Sequence, residues 1–97
     1  MKYGFILKGS GYKIEKREIN SPTFKTTVYA VSTYQDALKC AESLIKETVD
    51  IIEFCGGFSE DEITKIISTL NTTVPVGHVT FRTTEQEKLE KRHYSSL

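Results

Sequence analysis

No tryptophan, a single methionine, two prolines and two cysteines occur in the 97 residues of this chain. Two cysteines, Cys40 and Cys55, are too few for a disulfide-stapled scaffold or a zinc cage. Both read as free thiols of a reducing compartment. An excess of charge of either sign is also missing. Lys plus Arg number 13 and Asp plus Glu number 13, giving a formal net charge of zero. That balance offers no basic face to nucleic acid or to an anionic membrane. No apolar run approaches the roughly 20 residues of a membrane span. The apolar run inside Met1–Lys8 is too short for a signal peptide. These absences predict a soluble, cytoplasmic protein with no nucleic-acid partner, no membrane partner and no metal. A hydrophobic share of 38% is low, so every apolar stripe must be used. Oligomerisation, with a dimer favoured, is one way for so short a chain to bury more.

What is present reads as a β-β-α-β-α-β order with a four-stranded, mostly parallel sheet. Tyr3–Lys8 is a first strand, closed by Gly9-Ser10-Gly11. Residues 12–23 are polar and read as a solvated connection ending at Pro22. Lys25–Val31, rich in Thr, Val and Tyr, is a second strand. Ser32 with Gln35 has capping-box spacing. Tyr34, Ala37, Leu38, Ala41, Leu44 and Ile45 then recur at helical spacing, predicting a helix over Thr33–Thr48. Asp50–Cys55 is a third strand, broken by Gly56-Gly57. Ser59 with Glu62 forms a second capping box, and Ile63, Ile66, Ile67 and Leu70 stripe a helix that ends at Asn71. Val74–Phe81 is the last strand. Glu85–Arg92 is helix-prone but carries only Leu89 as an apolar anchor, so residues 83–97 read as a charged tail on a single α/β domain spanning 1–97. The second, third and fourth strands read as parallel, and the direction of the first is left open. If the first lies between the second and third, right-handed crossovers put both main helices on one face. The opposite face then needs cover.

The segment Val49–Ser59 is the most informative. A buried strand feeds a glycine turn and then a capped helix, the place where ligands of open α/β sheets bind. Unpaired amides and the helix dipole at Gly56, Gly57 and Ser59 suit a small anion. Gly9, Ser10 and Gly11 join them if the first and third strands are parallel neighbours. A tight turn alone also explains these glycines, and a left-handed Gly57 would bar side chains there. Cys55 is either a thiol activated beside a helix N-terminus or a small core residue. Glu53 interrupts an apolar strand, and a buried carboxylate needs a partner. Lys8, Lys25, His78 and Arg82 are candidates. Glu53 and Cys55 are the weak catalytic candidates, and no cofactor is indicated. His78 reads as a hydrogen-bonded strand residue, sharing a face with Val76 and Thr80.

Phe5-Ile6-Leu7 with Gly9 and Gly11, the run Val49-Asp50-Ile51-Ile52-Glu53-Phe54-Cys55-Gly56-Gly57-Phe58, and Val74-Pro75-Val76-Gly77 resemble a family of small uncharacterised bacterial proteins known as a domain of unknown function. The resemblance covers most of the chain to about Phe81. It implies the α/β fold and a bacterial cytoplasmic origin, and it brings no activity, cofactor or catalytic residue. Two functions remain open. One is binding of a small anionic molecule at the C-terminal strand ends. The other is a non-catalytic interaction protein that self-associates through its helix-free sheet face. Whether the chain is an enzyme is left open by the sequence.

Overall fold

The computed structural model describes residues 1–92. Its elements are β1 (Lys2–Lys8), β2 (Glu15–Asn20), β3 (Lys25–Val31), α1 (Tyr34–Lys46), β4 (Ile51–Phe54), α2 (Glu60–Leu70), β5 (Val76–His78) and α3 (Thr83–Lys91). They form a five-stranded sheet in the order β2-β3-β1-β4-β5. β1 is parallel to both β3 and β4, and β4 is parallel to β5. β3, β4 and β5 are parallel as expected, and β1, whose direction the sequence left open, lies parallel between β3 and β4.

The sheet has one strand more than the sequence suggested. Glu15–Asn20 is not a loop but an edge strand, antiparallel to β3. All six of its residues are exposed, so it carries no apolar alternation to betray it. Its charge is what an unpaired edge requires to resist pairing with other chains. Lys16 still points to the helix side, where it pairs with Glu47 at 3.0 Å and stands 5.7 Å from the centre of the Tyr29 ring. The last strand is shorter than predicted. It pairs only along Val76–His78, and Pro75 has no N–H to extend it.

α1 starts one residue later than the Ser32 box implied. Thr33 is the cap, its hydroxyl accepting from the Asp36 amide at 3.1 Å. Ser32 is committed elsewhere, donating to the Tyr12 carbonyl at 2.8 Å. α1 ends in a Schellman turn: Thr48 N–H bonds Ile45 O and Val49 N–H bonds Leu44 O. Thr48 holds the left-handed position at φ 61°, normally a glycine's place. α2 has the full Ser59–Glu62 capping box and ends at left-handed Asn71, as its sequence predicted.

Alternation along the strands decides which side chains meet the helices. Ile6, Val31, Ile52 and Phe54 are fully buried beneath α1 and α2, with Ala37, Leu44, Ile63 and Ile66 facing them. Each such aliphatic or aromatic side chain contributes roughly 1.5–3 kcal/mol by leaving water. Gly4 sits on this face because Leu44 takes its space. A Cβ there would stand 2.7 Å from Leu44 Cδ1.

Residues of opposite parity form the other face. The pairings arrange it in rows: Ile19, Thr26, Tyr3 and Ile51; then Arg17, Val28, Phe5, Glu53 and Gly77; then Glu15, Ala30, Leu7 and Cys55. The Tyr3, Phe5, Val28, Ile51 and Glu53 side chains are only half-buried. Neither α1 nor α2 covers this face.

Candidate functional site

Parallel pairing of β1, β4 and β5 brings Lys8, Phe54 and His78 to one end of the sheet. Three segments leave from that end and enclose a cavity of about 780 Å³. The first is the turn after β1. Gly9 N–H bonds Val31 O, and a Cβ on Gly9 would stand 2.9 Å from the Tyr12 ring, so Tyr12 folds back over it. The second is the Cys55–Ser59 turn, where Phe58 is buried edge-on against Phe54 at 5.2 Å. The third is the chain after β5, which brings Val79, Phe81 and, from α3, Leu89 to the cavity. Leu7, Tyr12, Phe58, Val79, Phe81 and Leu89 make the lining predominantly apolar.

Polar groups at the cavity are already paired. The Lys8 ammonium contacts both Glu62 oxygens, at 2.8 and 3.0 Å. Burial alone would raise the Glu62 carboxyl. The bonds from Lys8 and from the Ser59 amide outweigh it and hold the carboxyl below its ordinary value. His78 Nδ1 lies 3.1 Å from Glu60 Oε1 and its Nε2 lies 3.0 Å from Phe58 O. That places His78 on the helix face with Val76 and away from Glu53. Cys55 Sγ accepts from the Lys8 amide at 3.2 Å and the Gly57 amide at 3.4 Å, which fixes the sulfur at the cavity wall. Cys40 lies away from the cavity on the buried side of α1, where burial first and the charge of Asp36 second push its thiol up to about 11.

Gly9, Gly56, Gly57 and Cys55 thus meet at one cavity, whereas Ser10, Gly11, Ser59 and Glu53 do not line it. Ser59 is spent on its helix: its amide donates to Glu62 Oε1 at 2.9 Å and its hydroxyl accepts from the Glu62 amide at 3.2 Å. Glu60, Asp61 and Glu62 occupy the first turn of α2 and already answer the helix dipole. The left-handed glycine is Gly11, at φ 83°, rather than Gly57. Glu53 lies on the open face with Tyr3 rather than beside any of its expected cationic partners. Burial, with the Glu53 carboxylate adding to it, pushes the Tyr3 hydroxyl up to about 12. Gly77 leaves room for Glu53: a Cβ there would stand 3.4 Å from Glu53 Cγ. None of the apolar wall residues Leu7, Tyr12, Phe58, Val79, Phe81 and Leu89 was assigned to a site by sequence reasoning. Tyr12 and Leu89 converge from 77 residues apart through the fold alone.

Among the described residues no group of three or more His, Cys, Asp or Glu side chains is placed to hold a metal ion. None of their helices is long and apolar enough to cross a membrane. The chain belongs to DUF6506, a family of unknown function, whose match spans residues 1–93. No curated protein and no solved structure matches it.

Proposed function

We propose that this member of a family without an assigned role is a small-molecule-binding module. Its ligand is a compact, largely apolar molecule held at the C-terminal ends of β1, β4 and β5. The observation that carries this reading is the cavity of about 780 Å³ walled by Leu7, Tyr12, Phe58, Val79, Phe81 and Leu89. That volume falls within the roughly 300–1,000 Å³ of small-molecule sites, which pair apolar walls with a few polar groups. Gly9, Gly56 and Gly57 let the backbone approach a ligand closely, and the Cys55 sulfur and His78 are among the few polar groups at the wall.

The small anion suggested by the glycine turn fits this cavity less well. The Ser59 amide already donates to Glu62 and its hydroxyl oxygen already accepts from the Glu62 amide. Lys8 is neutralised by Glu62, while Glu60 and Glu90 add negative charge to the lining. A multiply charged phosphate there would lose hydration without gaining a free cation.

Thermal denaturation with a panel of neutral aromatic and medium-chain aliphatic compounds tests the reading. A ligand at a hundredfold excess over its Kd stabilises by about 2.7 kcal/mol. At least one compound of the panel should raise Tm saturably, and inorganic phosphate, sulfate and nucleotides should not. Leu89→Glu should abolish the shift without altering the unliganded Tm, because Leu89 is only half-buried on α3. A panel that moves nothing, or a shift indifferent to Leu89→Glu, would overturn the cavity as the site. A shift with phosphate alone would restore the anion reading.

A further inference from the structure

The helix-free sheet face has an unusual charge arrangement. Its middle row runs Arg17, Val28, Phe5, Glu53 across β2, β3, β1 and β4. One cation and one anion stand three strand positions apart, with two apolar side chains between them. Glu53 is half-buried, and among the described residues no cation comes within ion-pair distance of it. Arg17 donates to the Lys16 carbonyl at 2.9 Å and pairs with Glu15 at 3.3 Å, where both side chains are well exposed. Such a pair is worth little and exchanges readily.

We infer that this face seats a second copy of the same chain, across a two-fold axis parallel to the strands and midway between β1 and β3. That axis reverses the order along the row. Arg17 of each copy then faces Glu53 of the other, twice, and Val28 faces Phe5. Packed sheets stand about 10 Å apart, a gap that an arginine and a glutamate together span. The other face-to-face two-fold, lying along the row, sets Glu53 on Glu53 and Arg17 on Arg17. Like charges in a closing interface select against it. In the row above, Ile19 and Ile51 flank Thr26 and Tyr3 and give the pairing its apolar surround.

Size sets the strength. Four strands at about 4.8 Å and seven residues at about 3.3 Å cover roughly 400 Å² in projection. Stable interfaces bury about 800 Å² of accessible surface on each partner. The corrugated side-chain surface exceeds its projection but does not greatly exceed that requirement, so the dimer is one that dissociates on dilution. An axis along the strands also sets the two cavities at the same end of the dimer. The interface rests on the charge row and does not depend on what the cavities hold.

Sedimentation velocity of the full chain, from about 1 to 500 µM to bracket micromolar dissociation, tests the arrangement. The wild type should pass from monomer to dimer in this range. Arg17→Glu and Glu53→Arg should each weaken association at least tenfold. Arg17→Glu changes an exposed edge residue and leaves folding intact, so it remains informative if Glu53→Arg does not fold. The double variant carrying both changes should recover the dimer, because the axis parallel to the strands again opposes unlike charges. A wild type monomeric throughout, a dimer indifferent to Arg17→Glu, or a folded double variant no tighter than the single ones would overturn the proposal.

Discussion

Adjacent residues of the same strands live in different surroundings on the two faces of this sheet. Ile6 and Phe5 are chain neighbours on β1, as are Phe54 and Glu53 on β4. Ile6 and Phe54 are wholly buried, whereas Phe5 and Glu53 are half-buried. Secondary structure is common to both members of each pair, so the difference comes from what lies over them. α1 and α2 cover one face, and among the described residues no element of comparable packing covers the other. The first face accounts for the monomer's stability. The second is apolar but with a carboxylate near its centre, which in the proposed dimer favours moderate affinity over permanent burial.

The sharpest way to break this comparison is to truncate one aromatic on each face. Phe54→Ala should cost about 3–5 kcal/mol, the range for emptying a packed core position. Phe5→Ala, measured at a concentration low enough to keep the chain monomeric, should cost about 1 kcal/mol. Equal costs in urea denaturation would mean that the open face is as well packed as the covered one.

Glycines offer a smaller and cleaner contrast. Gly4→Ala drives a methyl to within 2.7 Å of Leu44 Cδ1, so the fully buried Leu44 must shift within the core. A loss of roughly 1–3 kcal/mol is expected in the same denaturation series. Gly77→Ala meets Glu53 at 3.4 Å, a flexible side chain on the open face. It should change stability by less than about 0.5 kcal/mol.

Electrostatics at the strand ends should matter less again. Glu62 has a folded-state pKa below its unfolded value near 4.3. Its contribution is therefore present above about pH 4.3 and is lost as pH falls through the folded value. Lys8→Met removes one of the groups that hold the carboxyl down. The acid limb of the stability curve should become shallower, with a loss below about 1 kcal/mol at neutral pH. An unchanged acid limb would show that the Ser59 amide alone sets the Glu62 carboxyl.

Thr48→Gly is the smallest effect and lies outside both faces. It relieves a β-branched residue at φ 61° but gives up the bond from Lys2 Nζ to the Thr48 hydroxyl at 3.1 Å. A net gain of about 0.5 kcal/mol in the thermal unfolding midpoint is expected.

These contrasts also mark where the amino-acid order was readable. Both main helices were, because Leu44 and Ala41 or Ile63 and Ile66 repeat at 3.6 residues and Ser59–Glu62 writes its own cap. The parallel run of β3, β4 and β5 was too, since crossovers through helices leave few alternatives, whereas the direction of β1 was not, because its polar connection to β3 showed no helix. β2 was hidden because an edge strand with both faces solvated needs no apolar period. Its order of Glu15, Lys16, Arg17 and Glu18 looks like any exposed loop. The first cap was misplaced by one residue because Ser32 and Thr33 are chemically equivalent, and only the distant Tyr12 carbonyl decides between them. Half of the cavity was invisible for a related reason. Gly9, Gly56 and Gly57 announce turns locally, whereas Tyr12, Phe81 and Leu89 become a wall only once the strands align.

The placement of β1 carries a consequence for how the chain acquires this structure. The strand made first is the central one. Its Lys2 pairs with Lys25 and its Tyr3 with Ile51, so neither contact forms until much later residues have left the ribosome. The β2–β3 hairpin, by contrast, closes locally through Asn20 and Lys25. During synthesis the hairpin and a capped α1 can therefore join β1 along its β3 edge, while its other edge, and an apolar Phe5-Ile6-Leu7, wait for β4. Folding is set by the arrival of β4, and long-range strand pairing of this kind is slow. The interval before it is when the nascent chain most needs protection from its neighbours.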